Sequence, residues 1–237
     1  MEGTQKITKR KLSDDVLDRL MELIQSGHYA PGDTFPSERQ LMEQFGVGRP
    51  AVREAMQSLQ NAGLISVKQG HRPKVTEPTA TGMISQIDIA AQHLLHQSPS
   101  SLEHLKEARL LFEVGVVRLA AEEATEMDAA RMQAALDLQE ECYQTDPDKF
   151  VKADIAFHIA IAETTGNPIL VATERAMLGW LKTYNSKIVR LDGKENITLD
   201  EHRKIFEYIV ANDPDAAAFA MTDHLNRSRE IFKSTRK

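Results

Sequence analysis

A single cysteine, Cys142, stands in 237 residues. No intrachain disulfide can form, and such cysteine usage fits a reducing compartment. No apolar run approaches the roughly 20 residues that a membrane-spanning helix needs. The N-terminal segment MEGTQKITKRKLSDDV has basic residues but no apolar stretch behind them, so it does not read as a secretory signal. The expectation is a cytoplasmic protein with no membrane partner. Two glycosylation sequons, at Asn196 and Asn226, carry no weight in that compartment. Internal repeats and low-complexity tracts are absent. So are a nucleophile elbow, a phosphate-binding glycine loop and an HExxH pair, which argues against an enzyme.

The chain is long enough for two domains that each bury a core. Its hydrophobic (41%) and charged (27%) fractions are those of an ordinary globular protein. The formal net charge of −6 conceals an asymmetry. Residues 1–78 carry 11 Lys/Arg against 10 Asp/Glu, a net of +1, and the remainder carries 18 against 25, a net of −7. Affinity for DNA depends on local phosphate contacts, so a near-neutral module with clustered cations can bind while an acidic partner domain stays clear.

Helical periodicity begins over 13–26, with Ser13 as the expected N-cap, Asp14 and Asp15 in the first turn, and Val16, Leu17, Leu20, Leu23 and Ile24 on the apolar face. Gly27 and Pro31-Gly32 stop it. A second helix opens at Ser37, whose spacing to Gln40 is that of a capping box, buries Leu41 and Phe45, and ends at Gly46. A third follows Val47-Gly48, with Pro50 in its first turn and Val52, Ala55, Met56, Leu59 and Ala62 facing inward. The period then changes to that of strands at 64–67 and 73–76, around a turn at Gln69-Gly70-His71-Arg72. Three helices and a hairpin in this order predict a winged helix-turn-helix over 1–76. Residues 77–82 read as a linker. From 83 to 237 the pattern is helical throughout, over 83–97, 101–124, 128–144, 148–165, 168–191, 197–211 and 214–233, divided by short breakers at 98–100, 146–147, 166–168, 192–193 and 213–214. The fold class is therefore mostly α, with an antiparallel all-helical bundle behind the winged domain.

Arg49 and Arg53 lie four apart at the start of the third helix and project from one face. Recognition helices read bases with their N-terminal residues, and arginine is the preferred bidentate partner of guanine. Arg39, in the first turn of the preceding helix, can reach phosphate, and Gly70 at the wing tip lets the backbone approach a minor groove. Taken singly, each arginine is equally a solvated surface residue. The coincidence of helix spacing, apolar register and a glycine-tipped wing favours a DNA-reading face.

Asp154 and His158 occupy i and i+4 of one helical pattern, and His202 and His224 fall among apolar residues of two later ones. One carboxylate and three imidazoles form a set that Zn²⁺, Ni²⁺ or Mn²⁺ would accept, without selecting between them. On spacing alone these histidines are also compatible with hydrogen-bonded core residues. His28, His93, His96 and His104 show no partner pattern and read as surface or packing residues. A metal-dependent hydrolase would need a general base beside such an ion. The nearest acid in sequence beyond His158, Glu163, falls about 140° round the helix from it.

The segments PSER (36–39), VGRPAVREAM (47–56) and KQGHRPKV (68–75) resemble the GntR family of bacterial regulators, in its FadR-type branch. That resemblance implies DNA contacts at Arg39, Arg49, Arg53, Gly70 and His71, a homodimer, and an operator that is an inverted repeat of double-stranded DNA. Residues 105–230, through LKEARLLFEVGVVRLAAEEAT, KADIAFHIAIAETTGNPIL, EHRKIFEYI and NDPDAAAFAMTDHL, resemble the FCD ligand-binding domain found behind this winged helix. The resemblance implies metal ligation by Asp154, His158, His202 and His224, with zinc the leading candidate. Acyl-CoA-binding members lack that set, so the implied effector is a small carboxylic or sugar acid, sialic acid a leading candidate. Arg109 matches a family arginine that faces the effector cavity, against the alternative of a surface pair with Glu113. Asn167 is a further effector candidate beside its expected role in the Gly166-Asn167-Pro168 turn. The function so implied is effector-modulated repression. A constitutive dimeric DNA binder with a structural metal is the alternative, and a metal-dependent hydrolase the remote one.

Overall fold

The computed structural model describes residues 10–68, 70–97, 99–184 and 195–234. Gln69 of the wing, Ser98, the stretch 185–191 of the helix expected over 168–191, and the Asp192-Gly193 breaker lie outside the described residues. Among those described, ten helices and one two-stranded sheet divide into two compact units, with the boundary between Gln86 and Ile87. No helix among them is long and apolar enough to cross a membrane.

The first unit holds α1 (Leu12–Gln25), α2 (Glu38–Phe45), α3 (Arg49–Asn61), β1 (Ile65–Ser66) and β2 (Lys74–Val75). Helix α1 starts two residues earlier than the serine cap implies. Lys11 is the N-cap, and its extended backbone places its carbonyl to accept the amides of Asp14 and Asp15. Ser13 is instead buried inside the first turn with its Oγ unpartnered, so it does not cap. Helix α2 is capped as its spacing predicts: the Ser37 side chain accepts the Gln40 amide, and the Gln40 side chain accepts the Ser37 amide at 3.0 Å. Gly46 closes α2 at φ 65°, a left-handed conformation that costs glycine nothing and lets the chain turn sharply into α3. Val16, Leu20, Leu41, Val52, Leu59 and Ile65 pack into one core with Phe35. The hairpin pairs Ile65 with Val75 and Ser66 with Lys74. A third segment joins it: Gly32 and Phe35 donate to the carbonyls of Val75 and Pro73, and Val75 donates to Asp33. This long-range pairing of the α1–α2 loop leaves no signature in local periodicity.

Helix α4 (Ala80–Gln97) begins inside the stretch whose composition reads as a linker, so residues 80–82 form its first turn. Thr79 Oγ1 accepts the Gly82 amide there, the bond of a serine/threonine cap. The second unit continues with α5 (Pro99–Glu123), α6 (Glu126–Cys142), α7 (Pro147–Thr164), α8 (Pro168–Tyr184), α9 (Glu195–Val210) and α10 (Pro214–Ser234). Proline stands at the first position of α5, α7, α8 and α10, where its missing amide is no loss. Thr125 and Asp128 form a capping box on α6. Helix α6 packs on α7, α5 on α10, and α9 on both α6 and α10. Val117, Ala120, Met132, Leu136, Phe157, Ile161, Ile205, Ile209 and Met221 fill the space between them. Among the polar residues buried in this bundle, Arg109, Glu113, Gln139, His158, Glu174, His202 and His224 gather in one place.

Candidate nucleic-acid interface and metal centre

At the start of α3, Arg49 and Arg53 stand in solvent with side chains 70% and 73% exposed. Glu38, from the first turn of α2, lies 3.0 Å from the Nε of Arg49 and 3.9 Å from that of Arg53. Glu38 comes from the helix before α3 and is a residue that spacing does not single out. Arg39 is 81% exposed and paired with Glu43, one turn along α2. At the wing, Gly70 adopts φ 76°, and a Cβ built there would meet nothing within 4 Å. Its need for glycine is thus conformational within the protein. His71 is exposed, and its amide donates to Lys68 at 3.0 Å. These five residues are on or beside the helix and hairpin that define a winged helix-turn-helix.

In the helical unit, α7 presents Asp154 and His158 on one face, α9 contributes His202 and α10 contributes His224. The three imidazoles are 2%, 0% and 4% exposed, so they share one interior site. Ring centroids are 5.1 Å apart for His158–His202, 5.4 Å for His158–His224 and 4.6 Å for His202–His224. Phe157 stacks on His202 at 4.6 Å and fixes its plane. Asp154 Oδ1 lies 3.6 Å from His202 Nε2 and remains partly exposed. The three histidines that the sequence singles out converge, with ligand-capable atoms within 4.8 Å of one another, and Asp154 lies beside His202.

Their outer nitrogens are held by groups that sequence reading does not identify. His224 Nδ1 is 2.8 Å from Glu201 Oε2, and a carboxylate can only accept, so this Nδ1 carries the proton. His202 Nδ1 is 2.9 Å from Gln139 Oε1, and His158 Nδ1 is 2.6 Å from Glu113 Oε2. Glu201 is itself clamped by Arg227, which also reaches Thr198. Fixing the protons on Nδ1 turns the Nε2 lone pairs inward, as second-shell partners do for metal-bound histidines. The Nε2 atoms of His202 and His224 then face each other at 3.2 Å. Two lone pairs at that distance repel unless a cation lies with them. A proton is a poor one: burial, then the neighbouring histidines, pushes His202 well below the usual histidine range, and burial lowers His224. A donor set of neutral, pre-oriented imidazoles with an adjacent carboxylate fits a divalent transition metal.

Arg109, on α5, is buried and not a surface residue. Its Nε donates to Glu113 Oε1, and its Nη2 is 3.4 Å from His158 Nε2. The pair with Glu113 that sequence reading offers as an alternative is therefore real, but it lies inside the site. Burial alone would raise the Glu113 carboxyl; Arg109 and His158 outweigh it and hold it at about 2. Beside it, Glu174 of α8 is pushed the other way, well above the usual range, first by burial and then by the charge of Glu113. Asn167, by contrast, is exposed, and its Oδ1 accepts the amides of Ile169 and Leu170 at the start of α8. It serves the turn.

A winged helix-turn-helix followed by a helical domain with a buried polar centre defines a DNA-binding transcription regulator. Comparison with known proteins gives the same class. The profile of the "Bacterial regulatory proteins, gntR family" matches residues 12–75, and that of the FCD domain matches residues 104–227. The HTH-type transcriptional repressor NanR of Cronobacter sakazakii is 37% identical over 226 residues, 94% of this chain and 86% of that protein. The repressor of the same name from Klebsiella aerogenes is 37% identical over 98% of this chain and 89% of its own length. Among solved structures, Streptococcus agalactiae GntR superimposes with a TM-score of 0.71 at 25% identity, covering 92% of this chain and 99% of that one. The chain belongs to the gntR family of bacterial regulatory proteins, in the group that carries an FCD domain. Its relatives are transcription regulators, and it is not an enzyme.

Proposed function

We propose that this chain is a repressor that binds an inverted-repeat operator as a homodimer, and that a small carboxylic or sugar acid bound at a metal site in the helical domain lowers its operator affinity. The observation that carries this reading is the facing pair of His202 and His224 Nε2 atoms, with the His224 proton committed to Nδ1 by Glu201. Asp154, His158, His202 and His224 would hold the ion. Zn²⁺ suits three imidazoles and a carboxylate best, while Ni²⁺ and Mn²⁺ are tolerated. The metal, when bound, supplies a Lewis-acidic anchor for a carboxylate. Arg109 supplies a second, since a guanidinium matches a carboxylate in charge and fork geometry. Asn167 is committed to its helix cap and is left out of this site. On the DNA side, Arg49 and Arg53 read base edges, while Arg39, Gly70 and His71 position the unit on the backbone and the groove.

The deep burial of the three histidines favours one competing reading, a constitutive DNA binder with a purely structural ion. One experiment separates the two. An operator is selected from random duplex DNA by the purified protein, and its binding is followed by fluorescence anisotropy at fixed salt. Zinc-loaded protein is then challenged with hydroxy, dicarboxylic and sugar acids, sialic acid included. The effector reading predicts that at least one acid weakens binding by about tenfold or more, the range of ordinary allosteric coupling. That effect disappears in His158→Ala. Operator affinity indifferent to every acid establishes the structural reading instead.

A further inference from the structure

We propose that Glu174 selects effectors that carry a hydrogen-bond donor, a hydroxyl or an ammonium group, close to their carboxylate; this rests on the effector site proposed above. Glu174 is 1% exposed, and neither of its carboxyl oxygens has a hydrogen-bond partner among the described residues. One of those oxygens lies within 4.8 Å of ligand-capable atoms of Glu113 and His158, which puts the carboxyl beside the histidine centre.

Its position on α8 makes the polarity conspicuous. Met177 and Leu178, three and four residues further on, are buried on the same face, so an aliphatic side chain at 174 would simply extend it. A buried carboxyl without partners is costly, because it forfeits its hydration and gains no bond in return. The charge of Arg109 offsets that cost only in part. Arg109 donates its Nε to Glu113, which also contacts His158, so the neighbouring charges are already matched to each other. The site therefore combines a guanidinium that offers donors with a second carboxyl, beside Glu113 and His158, that can accept from a ligand.

A ligand complementary to both must present acceptors at one point and a donor at the next. Hydroxy acids, sugar acids and amino acids have that pattern. A plain monocarboxylate leaves the Glu174 oxygens unpaired. A donor-free dicarboxylate sets a second negative oxygen against them. Sites built around buried polar groups reject analogues lacking the matching group far more strongly than apolar pockets reject a missing methylene.

The test uses the full-length, zinc-loaded chain and matched acids: lactate and alanine against propionate, malate and aspartate against succinate. Affinities are measured by titration calorimetry for the wild type, Glu174→Leu and Glu174→Gln, with metal content determined alongside. The wild type is expected to prefer a donor-bearing member by at least about tenfold. In Glu174→Leu the ratio collapses towards one, with one ion per chain retained and the affinity for the donor-free partner unchanged or raised. Glu174→Gln keeps an uncharged acceptor, so it retains preference for the hydroxyl and loses any preference for the ammonium. It also serves if the leucine variant does not fold. Acids that bind without regard to the donor, or a preference that survives in Glu174→Leu, overturn the assignment of Glu174 alone. Failure of every acid to bind zinc-loaded protein overturns the effector site itself, and this inference with it.

Discussion

His202 is fully buried, stacked on Phe157, bonded through Nδ1 to Gln139 and opposed at Nε2 by His224. Burial first, and then the charges of His224, His158, Arg109 and Arg227, penalise its protonation, and the effect is a depressed pKa in the folded chain. The folded state then binds fewer protons than the unfolded state, where histidine titrates near 6.5. The resulting stability is present in full above that value and is lost as pH falls from it towards the folded pKa. Glu113, held at about 2 against an ordinary 4.5, acts in the same direction lower on the scale, with its contribution lost as pH falls from 4.5 to about 2. The urea midpoint of the metal-free protein is thus predicted to fall steadily between pH 7 and pH 5, and to fall less steeply in His202→Gln. A midpoint independent of pH over that interval contradicts the assignment. At this scale the inner residues were legible and their supports were not. Asp154 and His158 share a face by spacing, and His202 and His224 stand out as polar residues within apolar patterns. Gln139, Glu201 and Arg227 matter only because α6, α9 and α10 meet, and no local pattern encodes that meeting.

Among the elements, α2 and α3 are the most readable, because their signals are local. Ser37 and Gln40 cap each other, Gly46 takes the left-handed turn, and Pro50 stands in the first turn of α3. Replacing Ser37 by alanine removes the acceptor for the Gln40 amide. The expected cost is about 1 kcal/mol of stability of the first unit, measured by chemical denaturation, with Ser37→Asp close to wild type. A Ser37→Ala midpoint equal to wild type would show the cap to be energetically idle. Local signals misled where competing residues lay close together. Ser13 has the chemistry of a cap, but the helix begins at Leu12, and the serine is buried within the turn. Composition likewise made 77–82 a linker, although Thr79 starts α4 from within it. The third member of the wing, from residues 32–35, is set by pairing across some forty residues of sequence, beyond the reach of periodicity.

For the whole molecule, the uneven charge bears directly on how DNA is met. The first unit sets the exposed Arg49 and Arg53 around Glu38, while the rest of the chain carries the negative excess. Arg49→Ala and Arg53→Ala are each predicted to weaken operator binding by about 1–3 kcal/mol, the range for loss of a bidentate base contact, and to relax sequence preference. Arg39→Ala is predicted to weaken binding evenly across sequences and to lower the salt dependence by about one counterion. Anisotropy titrations across a salt series distinguish these outcomes. Equal effects of all three on specific and random duplexes would reduce the α3 arginines to phosphate contacts.

The claim on which the effector reading depends is that Asp154, His158, His202 and His224 hold one divalent ion. Titration of metal-stripped protein with Zn²⁺ at neutral pH, by calorimetry with parallel melting curves, addresses it most directly. The prediction is one ion per chain and a melting temperature that rises with free zinc, by about 2.7 kcal/mol of stability at a hundredfold excess over Kd. Both should be abolished in His202→Ala. A chain that binds no zinc, or a His202→Ala variant that binds it as the wild type does, would contradict the account.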